Sequence, residues 1–246
     1  MKKIKQDWKF FLSIFLGIAL SVILSIYVLD IKKETLSNIE TNGFIGTSIV
    51  VCIIVFVILT IIHYKKDIKQ EKIFLYTIPI VCILFIIVMP MFKSHDEHAH
   101  WHRIYEISTG NLATDVKEDG GTISILPKSV VCRDWVDMDY SEVIADLYNK
   151  IDNSDTTDNV YIVTASMYSP IQYAHEAIVI AIARIFVKIP ILLAYAGRIA
   201  NMLLCVGLIY FSIKKMPFGK NIILCISYIP ILIEGISSMS GDGITF

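Results

Sequence analysis

The densest run of chemically capable side chains is Ser94-His95-Asp96-Glu97-His98-Ala99-His100-Trp101-His102-Arg103. It packs two carboxylates, four imidazoles and a guanidinium into ten residues. Ser94 and Glu97 have the spacing of a capping box, and Gly110 suits a C-terminal cap. A short helix near His95–Thr109 follows, with Asp96 in its first turn. Asp96, His100 and Arg103 then share one face. Glu97 reads on spacing as the capping glutamate. Asp96 reads as a carboxylate held ionised by the helix N-terminus, and so able to accept a proton as a general base. His95, His98 and His102 are spaced to share a face that could bind zinc, nickel or copper. The plainer alternative, and the favoured one, is a polar interfacial helix with its histidines exposed. No H-E-x-x-H is present, because His175-Glu176 is followed by Val179 where a second histidine would stand, which disfavours a metalloprotease.

Two further groups stand apart. Arg198 lies in an apolar stretch, where a charge is costly and usually functional. It could hold a lipid phosphate through bidentate hydrogen bonds, or snorkel to the membrane interface. Asp242, in Ser238-Met239-Ser240-Gly241-Asp242-Gly243, is either a turn residue or a second outer carboxylate.

The elements that must position these groups are set by hydrophobicity. The chain is 55% apolar and 18% charged, with a mean hydropathy of +0.63. A spanning helix needs about 20 apolar residues. The runs 10–29, 44–62 and 73–92 carry no charge. The first ends without a small-residue cleavage site and reads as an uncleaved span. Lys2, Lys3, Lys5 and Lys9 precede it, and Lys65, Lys66, Lys69 and Lys72 lie between the second and third runs. The positive-inside rule makes both groups cytoplasmic, so the third span exits outward. The net charge of −1 gives no bulk basicity for nucleic acid. Four of the five cysteines lie in apolar blocks, and Cys132 is alone in a polar loop without ligand spacing.

The loop from Ser94 to about Ser169 carries 14 Asp/Glu and 5 Lys/Arg. A strand is expected at 160–164 and a solvated turn at 152–159. In the block 171–189, Gln172, Glu176, Arg184 and Lys188 fall at steps of four with Ile180 filling the gap, a polar stripe that fits a helix lying in the interface, ended by Pro190. A fourth span follows at 192–213 and a fifth at 222–239, the latter containing Pro230 and Glu234. The expected architecture is all-α and multi-pass, with about five transmembrane helices, one interfacial helix and a large mixed extracytoplasmic loop. It divides into a two-span segment, 1–72, and a membrane module, 73–246. The ending at Phe246, close after Asp242, reads as an N-terminal fragment of a longer protein.

Asp96-Glu97-x-x-His100-x-x-Arg103, Ser108-x-Gly110, Tyr168-x-Pro170-x-x-Tyr173, Gly197-Arg198-x-x-Asn201, Pro217 with Lys220, and Ser238-x-Ser240-x-Asp242 together resemble the bacterial membrane-protein family DUF 2142. That family is similar to the GT-C glycosyltransferases. His95 and His98 stand where the family usually has prolines around the acidic pair. The resemblance implies a non-crossing helix at 171–189 and a polyprenyl-phosphate sugar donor. It also implies Asp96 and Glu97 as the catalytic pair, with Asp96 deprotonating the acceptor and Arg198 holding the leaving phosphate. His100, Arg103, Tyr168, Tyr173, Asn201 and Asp242 would line the substrate site. The expected function is a glycosyltransferase-like membrane protein of the cell envelope whose partners are membrane lipid and the donor, with a divalent metal as one cofactor it could use. The alternatives are a non-enzymatic lipid-binding or transport protein, and a metal-responsive protein using His95, His98 and His102.

Overall fold

A computed structural model describes residues 69–94, 96–116, 122–131, 140–158, 160 and 162–241. The expected spans at 10–29 and 44–62, and Asp242, lie outside the described residues. The described chain falls into two compact units that divide between Leu84 and Phe85.

Helix α1, Gln70–Val88, runs through the division. Its 18-residue apolar window, Gln70–Ile87, is long enough to cross a membrane. The apolar pattern continues to Phe92, but the helix stops four residues earlier, ahead of Pro90. In that unit, α2 is Glu97–Ser108. Thr109 is its C-cap, and Gly110 follows at φ 96, in the left-handed region that a glycine cap adopts.

The loop holds four two-residue strands. They are β1 (Asp115–Val116) paired with β2 (Thr122–Ile123), and β3 (Leu126–Pro127) paired with β4 (Thr156–Thr157), both antiparallel. A helix, α3, lies between the pairs at Tyr140–Asp146. The strand expected at 160–164 is replaced by one helical turn, α4, at Val163–Ser166. Its β-branched residues have no strand to pair with, and Ile162 and Ala165 are fully buried. The segment 152–159 is in part the solvated turn expected, with the Asp152 carboxylate accepting from Ser154 N and Oγ. It also supplies β4.

Helix α5, Pro170–Phe186, is started by Ser169, whose Oγ accepts from Ile171 N. At 17 residues it falls short of a span. Its two faces differ in burial. Tyr173, Glu176, Ala177 and Ile180 face inward, while Ile171, Ile178, Ile182, Ile185 and Phe186 are exposed. The stripe read as the solvated face is, at Glu176 and Ile180, the protein-facing side. Helix α6, Pro190–Lys215, is the second candidate span. The fifth expected span is broken. Helix α7 (Lys220–Ile226) and α8 (Pro230–Ser237) meet at a 74° bend. Pro230 cannot donate to the helix before it and instead starts a new one. Among the described residues there are thus two candidate spans, or three if the bent pair is one.

The core of the second unit is built from Trp101, Ile104 and Tyr105 of α2, Tyr173 and Ile180 of α5, Leu193 and Ala194 of α6, and Met239. Helix α2 is polar in composition, yet nearly every residue from Glu97 to Ile107 is buried. The expectation of exposed histidines is overturned. His100 and His102 are buried and His98 is half-buried, because α2 packs against α4 and α5.

Candidate functional site

The buried pair Glu97–Arg198 organises the site. Arg198 Nε donates to Glu97 Oε1 at 2.7 Å and Nη2 to Oε2 at 2.6 Å. Both side chains are essentially without solvent contact. Arg198 Nη1 also donates to Met89 O (2.7 Å) and Ile86 O (3.4 Å), and Nη2 donates to Pro90 O (2.9 Å). All five guanidinium N–H groups are therefore engaged. They engage the Ile86 carbonyl in the last turn of α1 and those of Met89 and Pro90 just beyond it, while Pro90 accounts for the end of the helix. The snorkelling reading of Arg198 is thereby overturned. Bound this way, the guanidinium could meet a phosphate only by giving up the carboxylate or a carbonyl.

Glu97 accepts two further bonds, from Phe92 N (2.9 Å) and Met239 N (3.0 Å). One carboxylate thus ties together the end of α1, the start of α2, α6 and the segment after α8. The capping-box reading of Glu97 is wrong for this reason. A fork to a buried arginine outweighs a cap worth about 1 kcal/mol. Ser94 Oγ donates instead to Glu234 Oε1 at 2.9 Å. The N-cap of α2 is Asp96, with φ 55 and no side-chain cap bond. Asp96 therefore precedes the first turn in place of lying within it. Phe92, at φ 65, is also left-handed, which a bulky residue adopts at real cost. The clamp lies beside Phe92 and Asp96, both left-handed, and half-buried Asp96 stands at the head of α2.

Around this clamp, His100 Nδ1 is 2.7 Å from Tyr173 Oη, and both rings contact Tyr168. Gly241 lies against the two tyrosines, where an added Cβ would be 3.1 Å from Tyr173 Oη. Asn201 Nδ2 donates to Gly235 O and Ser238 O, and His175 Nε2 lies 3.3 Å from its Oδ1. Gly197 allows Met239 to close over α6, since a Cβ there would meet Met239 Sδ at 2.8 Å. The sequence-nominated Glu97, His100, Tyr168, Tyr173, Arg198 and Asn201 therefore converge with the segment 238–241. Arg103 does not join them. It turns to Glu106, Thr114 Oγ1 and Leu112 O, bracing the chain after α2.

Glu176 is a residue that sequence reasoning did not nominate for the site. It is fully buried, and neither carboxyl oxygen has a hydrogen-bond partner of good geometry. Burial pushes its pKa well up, the Ser240 backbone amide opposes this, and the nearby Glu97 charge adds to it. Beside the clamp, Glu176 therefore holds its proton more tightly than an exposed carboxyl does. Burial likewise lowers the pKa of its neighbour His175. The signal that could have found Glu176 is a lone carboxylate in an apolar helix. Among the described residues, no group of three His, Cys, Asp or Glu is placed to hold a metal ion. His95 lies outside them.

Long apolar helices, one of them broken, around a buried polar cluster define a helical membrane protein. The chain belongs to the DUF2142 family, "Predicted membrane protein", whose family model matches residues 80–246. Comparison with the curated proteins and with the solved structures finds no match.

Proposed function

We propose that this chain is a glycosyltransferase-like membrane protein that takes a sugar from a polyprenyl-phosphate donor at the outer face of the cell membrane. The observation that supports this best is Asp96, half-buried and in a left-handed backbone conformation beside the Glu97–Arg198 clamp. Of the acidic pair, Glu97 is engaged by Arg198, Phe92 N and Met239 N, and the base assigned here is Asp96. Asp96 takes the acceptor hydroxyl proton as the acceptor oxygen bonds to the sugar C1. The C1–O bond to phosphate breaks, its electron pair stays on the phosphate oxygen, and polyprenyl phosphate leaves. The transition state is oxocarbenium-like. Half-buried Tyr168 supplies a ring surface suited to a sugar, backed by the buried His100–Tyr173 pair. Arg198 acts as a positioning residue through Glu97.

A second reading, a non-enzymatic lipid-binding or transport protein, is favoured by buried Glu176, since isolated carboxyls among apolar helices mark proton or ion pathways. Native mass spectrometry of the detergent-extracted protein separates the two. The transferase reading expects co-purified polyprenyl phosphate in the wild type and the sugar-loaded lipid in Asp96→Asn. A protein that carries only ordinary phospholipid in both forms supports the second reading.

A further inference from the structure

We propose that Arg184 and Lys188 form a seat for the phosphate head of a membrane lipid. A recess of about 280 Å³ opens between the C-terminal ends of α2 and α5, lined by Ser108, Thr109, Ala181, Arg184, Ile185 and Lys188. Arg184 is oriented by its own contacts, with Nη1 donating to Ser108 Oγ at 3.1 Å and the guanidinium 4.8 Å from the Tyr105 ring centre. Lys188 lies just past the helix end, where its carbonyl accepts from Ile151 N at 2.8 Å, fixing the backbone while the side chain stays exposed. Among the described residues neither cation has a carboxylate partner. The ion pairs there are Arg103–Glu106, Lys128–Asp155 and Arg198–Glu97. A cation in the last turn of a helix is favoured by the helix dipole. That accounts for one basic residue and not for two lining one recess.

The apolar side of the recess selects a lipid over a free anion. Ile185 lines it and is 69% exposed, and Ile178 and Ile182 continue the exposed stripe along α5. A two-cation seat at the end of an apolar stripe matches an anionic head with long chains. A guanidinium beside an ammonium suits a phosphate monoester. The seat does not depend on sugar transfer.

The full chain in non-ionic detergent is titrated with dioleoyl phosphatidic acid and bound lipid is counted by native mass spectrometry. Dioleoylglycerol and inorganic phosphate serve as the headless and chainless probes. Phosphatidic acid should bind. Lys188→Gln should weaken it several-fold and Arg184→Gln/Lys188→Gln at least about tenfold, the equivalent of about 1.4 kcal/mol. Dioleoylglycerol should not bind there, and inorganic phosphate should not displace the lipid. Lys188→Gln keeps its backbone bond and the clamp, so it should melt as the wild type does. It therefore decides the question even if Arg184→Gln is destabilised by the loss of Tyr105 and Ser108. Unchanged affinity in both variants, or no binding by the wild type, overturns the proposal. Displacement by equimolar inorganic phosphate overturns it in favour of a free-anion site.

Discussion

The Glu97–Arg198 clamp makes a quantitative prediction. Arg198→Met removes a guanidinium that makes two bonds to one carboxylate and three to backbone carbonyls. The variant leaves Glu97 buried with two amide donors, from Phe92 and Met239, and no counter-charge. Breaking a buried pair from one side costs about 3–5 kcal/mol. At roughly 2–4 °C per kcal/mol for a chain of this size, the melting temperature should fall by about 10 °C. Glu97→Gln should cost a similar amount, because it strands the arginine. The double variant Glu97→Gln/Arg198→Met should cost clearly less than the sum of the two, with a coupling of about 2 kcal/mol or more. Tryptophan-fluorescence melts in detergent suit the measurement, since Trp101 is fully buried in the same core. Single variants that melt within about 2 °C of the wild type, or strict additivity, would refute the clamp. An Arg198 variant that is fully stable and merely loses lipid would show the arginine to be a ligand and not a brace.

Other consequences follow from the same geometry. Glu176 has a raised pKa in the folded state, so its stabilising influence is full below about pH 4, the ordinary carboxylate value, and is lost as pH rises towards the folded value. Keeping it protonated becomes costlier through that window, so Glu176→Gln should melt higher than wild type at pH 8 and the same at pH 4. A difference that grows on acidification would contradict this. For topology, in a cysteine-free background a membrane-impermeant thiol reagent should label Asn153→Cys and not Lys66→Cys. The opposite pattern would invert the orientation.

The membrane class is legible in the sequence, because uncharged apolar runs of about 20 residues match the thickness of a bilayer's hydrocarbon core. Most of the polar cluster is legible too. Arg198 and Asn201 stand out as polar groups in an apolar helix, and Tyr168 and Tyr173 flank the proline that starts α5. Their pairings are not legible. Glu97 has a local partner on spacing, Ser94, and a distant one, Arg198, 101 residues along the chain. Local spacing cannot weigh a buried ion pair formed by folding. Helix α2 misleads for the same reason, since its polar composition suggests a wet surface while nearly all of its residues are buried. The stripe on α5 is right in period but mixed in burial: Glu176 and Ile180 are buried, Gln172 and Arg184 half-buried and Lys188 exposed. Period alone does not tell which members of a stripe another helix will cover. The bend at Pro230 is foreshadowed by the proline itself.

Sugar transfer in lipid nanodiscs tests the role of Asp96 most directly. Purified protein is incubated with a panel of polyprenyl-phosphate sugars, and released polyprenyl phosphate is quantified by mass spectrometry. The expected result is release by the wild type on at least one donor. Asp96→Asn should lose that release while the protein stays folded, with the Glu97–Arg198 clamp in place. Release that persists at the wild-type rate in Asp96→Asn would contradict a catalytic Asp96.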